Sequence, residues 1–140
     1  MSCKSAIYTV NSGAQTVAVG GTIPLGSVIR RFGCNANLNG NGITIDEQGY
    51  YDVDVAVTLT PATAGTVTVT LMRDGVAVPG ATASAFTPTA DDPVSVSFHA
   101  LVRQLGNCSG STLTLMLTAP QTSTVVSASV TNAAVIVKKI

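Results

Sequence analysis

Few side chains in this sequence could do chemistry, and they are scattered. His99 is the one histidine, beside Ser97 on the polar side of an alternating stretch. A Ser-His-Asp relay needs an acid placed to orient the imidazole, and no spacing here supplies one. The sequence has no G-x-S-x-G elbow, P-loop or dinucleotide fingerprint. No catalytic set assembles, so the expectation is a protein that is not an enzyme and carries no cofactor. Asp52 and Asp54 lie two apart within an alternating run and share a face. Neighbouring carboxylates repel unless positive charge lies near. Three answers stay open: solvent, the Arg30-Arg31 pair, or a calcium ion, which wants six to eight oxygens. Asp91-Asp92 reads as a solvated loop.

The cysteines are Cys3, Cys34 and Cys108, an odd count that fits no closed disulfide framework. No CxxC or Cys/His spacing suggests zinc, so no zinc site is expected, and apart from the calcium alternative at Asp52 and Asp54 no metal is assigned. Two readings stay open: three small apolar thiols, or a Cys34–Cys108 bridge between two polar, Asn- and Gly-rich segments. Tyr8, Tyr50 and Phe32 could line a carbohydrate platform or serve as core and interface aromatics. Asn35, Asn37, Asn39 and Asn41 fall in an Asn/Gly-rich run over residues 35–42. Asn and Gly tolerate positive φ, so this run reads as a loop, and loops on rigid scaffolds favour recognition.

The elements that must position these residues are strands. From Gly49 onward, Tyr51, Val53, Val55, Val57 and Leu59 alternate with Tyr50, Asp52, Asp54, Ala56, Thr58 and Thr60. A period of two over this length means a strand with one face in a core. Ile43 and Ile45 begin the same alternation before a polar turn at residues 46–49. Shorter strands are expected over residues 6–10 and 15–19, and residues 27–32 are read as extended. Residues 66–73 alternate again, and Asp74-Gly75 is a strong hairpin signal. Pro79-Gly80 is expected to end the return strand at residues 76–78, and residues 81–93 to hold one irregular edge strand. Further strands follow at residues 94–102 and 113–117 and from 127 to the end. Nothing reads as a helix. The expected fold class is all-β, an antiparallel sandwich or barrel of about ten strands.

Composition bounds the partners. The chain has 140 residues, 10% of them charged, with zero formal net charge. That length makes one domain. A neutral chain lacks the electrostatic footprint for nucleic acid or an anionic membrane. No apolar run approaches the length of a membrane helix, and no secretion-type leader is visible. Low charge favours an oligomer over a free monomer. Ala133, Ala134, Val135, Ile136 and Val137 are apolar on both strand faces, so a second subunit is expected to cover the face that the core does not.

Several segments, in order, resemble one family. They are Ala6-Ile7-Tyr8-Thr9-Val10-Asn11, then Ile43-Thr44-Ile45, then Gly49-Tyr50-Tyr51-Asp52-Val53. Val69-Thr70-Leu71-Met72-Arg73-Asp74-Gly75, Val78-Pro79-Gly80 and the run over residues 129–140 complete the set. The chain resembles the complement-type and tumour-necrosis-factor-like (TNF-like) jelly-roll heads. Their bacterial branch includes heads of spore-surface collagen-like proteins and domains of phage structural proteins. No Gly-X-Y tract is present, so no collagen stalk lies in this polypeptide. Arg30-Arg31-Phe32-Gly33-Cys34-Asn35 departs from the eukaryotic pattern and resembles small proteins of phages and their Gram-positive hosts.

The resemblance implies a jelly-roll β-sandwich over residues 6–140, a TNF-like homotrimer, and residues 1–5 as an attachment segment. It also implies that Asp52 and Asp54 turn toward neighbouring subunits, alongside residues 133–137. The function expected is that of a virion structural protein made in the host cytoplasm. It would be a capsid decoration, head fibre or fibre tip held to other virion proteins and binding a host-surface glycan or protein. The alternative is a head domain on a bacterial spore or cell surface.

Overall fold

The computed structural model describes residues 4–33, 36–104, 110–119 and 125–140. Among them are eleven strands and no helix. They are β1 (Ala6–Asn11), β2 (Gln15–Ala18), β3 (Ser27–Phe32), β4 (Ala36–Asn39), β5 (Gly42–Ile45) and β6 (Gly49–Pro61). After these come β7 (Gly65–Arg73), β8 (Val76–Thr87), β9 (Val94–Gln104), β10 (Ser111–Thr118) and β11 (Ser127–Lys139).

The strands form two sheets. The six-stranded sheet has the order β3-β1-β11-β6-β9, and β2 pairs with β11 as its sixth strand. The five-stranded sheet has the order β4-β5-β10-β7-β8. Every named pairing is antiparallel. The fold is an all-β jelly-roll sandwich.

β6 carries the register read from its alternation. Tyr51, Val53, Val55, Val57 and Leu59 are buried, whereas Asp54 and Ala56 are exposed. Across the core, Ile43, Ile45, Val67, Val69, Leu71, Leu113, Leu115 and Leu117 are buried from the five-stranded sheet. Inward side chains from both sheets fill one layer, as sandwich packing requires. Tyr51 keeps its polar tip satisfied by donating from Oη to the Glu47 carbonyl, 2.7 Å away.

Four expectations change. The run over residues 36–39 is a strand, not a loop: Ala36, Asn37, Leu38 and Asn39 pair with Ile45, Thr44, Ile43 and Gly42. Asn disfavours strands intrinsically, but pairing with β5 and burial of Ala36 outweigh that preference. Only Gly40-Asn41 remains as the turn, with Gly40 at φ 62°. Pro79-Gly80 does not end the return strand either. β8 runs on to Thr87, and the register jumps from Met72↔Ala77 to Thr70↔Thr82. The extra residues bulge from an edge strand, where proline costs no ladder bond. The Asp74-Gly75 hairpin forms as read, with φ 52° and 84° at its two central residues. Asp91 and Asp92 are exposed in a turn before β9.

The third change is at the start of the chain. Ser5 is buried, and its carbonyl accepts a 2.8 Å bond from the Lys139 amide, so this residue is already part of the sheet. The fourth concerns residues 133–137. Ala133, Val135 and Val137 are sealed inside the chain's own core, leaving Ala134 and Ile136 to face out. Cys3, Cys34, Cys108 and Asn35 lie outside the described residues.

Candidate functional site

The outward face of the six-stranded sheet gathers most of the residues singled out from the sequence. Strand register sets its rows. One row runs Arg30, Tyr8, Ile136, Asp54, His99, each directly opposite the next across β3, β1, β11, β6 and β9. Beside it runs Phe32, Ala6, Lys138, Asp52, Leu101. On the other side lie Ser27, Val10, Ala134, Ala56 and Ser97. Tyr8, Val10, Ala134, Ile136 and Ala56 form an apolar area, with Arg30 and His99 at the two flanks of the sheet, Asp54 beside Ile136, and Lys138 and Asp52 along one side. Ile136 is 40% exposed, Leu101 59% and Phe32 61%. Large apolar side chains in one exposed area mark an interaction surface.

Asp54 lines a shallow depression of about 310 Å³ with Ala56, Ser97, Phe98, His99, Ala134 and Ile136. Its two direct cross-strand neighbours are Ile136 and His99. Asp52 differs, because Lys138 stands directly opposite it. The adjacent carboxylates therefore have unlike surroundings. Among the described residues, no group of three or more His, Cys, Asp or Glu side chains could hold a metal ion.

The Arg30-Arg31 pair splits. Arg30 shares the outward face with Tyr8. Arg31 turns to the other sheet, where Nε donates 2.9 Å to the Ala36 carbonyl and Nη2 donates to Asn37 Oδ1. It fastens the edge strands β3 and β4 together. The aromatics split as well. Phe32, Tyr8, Arg30 and Ile136 line one small depression, whereas Tyr50 stands opposite Arg103 at the far end of β6. They do not form a single platform. Asn39 and Asn41 are exposed at the β4–β5 hairpin and Asn37 is half-buried.

Ala56 and His99 are readable as outward from the local alternation, whereas Ile136 is not, because residues 133–137 are apolar on both strand faces. Which residues face one another across the sheet is not readable either, because that depends on pairing between strands far apart in sequence.

Residues 7–140 match the family model described as the BclA C-terminal domain. The chain belongs to this family. The BclA-type fold is shared with solved structures of low sequence identity. The globular domain of zebrafish complement 1qA protein has a TM-score of 0.69 at 12% identity, covering 98% of this chain and 96% of that one. Murine APRIL at pH 5.0 has a TM-score of 0.69 at 12% identity, covering 98% and 99%. The PRD1 vertex protein P5 has a TM-score of 0.60 at 14% identity, covering 100% and 99%. No curated protein matches the chain. This BclA-type head has the jelly-roll fold implied by its sequence resemblance, and its outward sheet face is the best-defined candidate site.

Proposed function

We propose that this chain is a non-catalytic head domain that closes into a homotrimer through the outward face of its six-stranded sheet. One observation carries the reading. Tyr8, Val10, Ala134, Ile136 and Ala56 form an apolar centre on a face that no other part of the described chain covers. A closed ring buries the same patch on every copy. The number three comes from the resemblance to trimeric heads.

The trimer displays its hairpins from the outside of a phage particle, attached through the residues before Ser5 to other virion proteins as a decoration, head fibre or fibre tip. The likeness to the PRD1 vertex protein P5 supports this setting. The turn bearing Asn39 and Asn41 is the candidate contact to a host-surface glycan or protein, and three copies pointing one way add weak contacts by avidity. The second reading is a head on a spore or cell surface. The family match favours it, since the BclA domain is the head of a spore-surface collagen-like protein.

Light scattering on the purified protein tests closure: the expected mass is three chains, and a monodisperse monomer at high concentration overturns it. Immunogold electron microscopy then separates the settings. Label on phage particles supports the virion reading, and label confined to spores or cell envelopes supports the second.

A further inference from the structure

We propose that Arg30 of one copy pairs with Asp54 of the next, and that this ion pair sets how copies of the chain dock. The inference rests on the closed-ring reading above and assigns its contacts.

Arg30 and Asp54 are both exposed and face the same way along one row, Arg30 at its β3 end and Asp54 on β6, next to His99 at the β9 end. Between them stand only Tyr8 and Ile136. The two charges are three strand steps apart, roughly 14 Å at the usual strand spacing. They cannot meet within one chain. Among the described residues the ion pair formed is Lys139–Glu47, which uses neither. The hydrogen bond described for the Arg30 side chain is a long 3.4 Å contact to the adjacent Ile29 carbonyl. Lys138 stands opposite Asp52, so the acid without a facing lysine or arginine is Asp54.

The row thus carries a cation on β3, an apolar pair on β1 and β11, and an anion on β6 beside His99. A second copy supplies the complement to both charges, because a head-to-tail contact in a ring joins one side of a patch to the other side of its neighbour's. The depression beside Asp54 has Ala56, Ala134 and Ile136 on its β6 and β11 side and Ser97 and His99 on its β9 side, so an incoming side chain meets an apolar wall, polar groups and a carboxylate. Arginine fits that chemistry better than lysine. Its planar fork meets a carboxylate with two bonds, and it is the more weakly hydrated cation. The zero net charge of the chain leaves no general repulsion for such docking to overcome.

The test compares wild type, Arg30→Glu, Asp54→Arg and the double variant by analytical ultracentrifugation, with circular dichroism to verify folding. Each single reversal puts like charges together and raises the concentration for half-dissociation at least about tenfold. The double variant restores opposite charges at every contact and returns most of the way to wild type. Arg30→Gln with Asp54→Asn, read as a double-mutant cycle, gives the same coupling should a reversal fail to fold. If wild type assembles and the single variants assemble equally well, the Arg30–Asp54 pairing is wrong while the ring stands. If both singles dissociate and the double dissociates further, the residues do not touch, and the pairing is again overturned. A wild type that is monomeric at every concentration removes the ring and the pairing together.

Discussion

Arg73 Nη2 donates to Gln104 Oε1 across 2.8 Å, joining β7 of one sheet to β9 of the other. The same guanidinium reaches Ser111 Oγ at 3.2 Å and the Arg103 carbonyl. Gln104 is 1% exposed, so its amide oxygen depends on this donor. Arg73→Met should therefore destabilise the monomer by about 1–3 kcal/mol, the cost of stranding a buried acceptor. Arg73→Met with Gln104→Met should cost less than the two single effects added together. Urea unfolding of the four proteins measures this, and strict additivity would show that the bond carries no coupling.

Adjacent residues of β11 should respond oppositely to the same change. Val137 is fully buried and Ile136 is 40% exposed on the outward face. Val137→Asp puts a carboxylate into the core, and no folded protein is expected from it. Ile136→Asp should leave the circular dichroism spectrum of a β protein intact and reduce the mass seen by light scattering. An Ile136→Asp protein that keeps its full assembled mass would contradict the proposed interface.

The sequence does not separate Ile136 from Val137, because residues 133–137 are apolar on both faces, but in β6 the split is legible for local reasons. Alternation alone assigns Val53 and Asp54 to opposite faces, since side-chain direction in a strand needs no knowledge of the partner. It misled at Asn37 and Asn39, where asparagine's preference for turns gave way to pairing with β5. It failed at Pro79-Gly80 because a bulge on an edge strand is compatible with residues that elsewhere stop a strand. The candidate site was legible only in pieces. Asp54 and Ile136 each stand out in the sequence, yet their juxtaposition is set by pairing between β6 and β11, which no short window of sequence contains.

Lys139 offers a third check. Its ammonium lies 3.3 Å from Glu47 Oε1, with 4% of its side chain exposed against 29% for Glu47. Glu47→Gln leaves a nearly buried cation without its counter-charge. The expected loss is roughly 2 kcal/mol, below that of a fully buried pair because water still reaches the Glu47 side. Lys139→Met removes the charge together with its desolvation cost and should lose less. Thermal melts of the two variants decide, and a larger loss for Lys139→Met would mean that the attraction outweighs desolvation here.

Thr9 should yield to improvement. Its Oγ1 is the buried side-chain polar atom without a partner among the described residues. Thr9→Val keeps the shape and removes the hydroxyl, so a gain of about 1 kcal/mol is expected. A loss in denaturant titration would show that the hydroxyl finds a bond that the structure does not give it.

The pairing of β1 with β11 also bears on how the chain reaches its native state. β11 stands between β1 and β6, near the middle of the six-stranded sheet, and every other described strand precedes it in sequence. During synthesis β1 waits for a neighbour nearly the whole chain away, with the pairing faces of β1 and β6 open in the meantime. Such long-range pairing slows folding and leaves strand edges exposed to other nascent chains. Refolding in vitro is accordingly expected to be slow and to favour dilute protein, and on a polysome the six-stranded sheet is completed only after β11 has emerged.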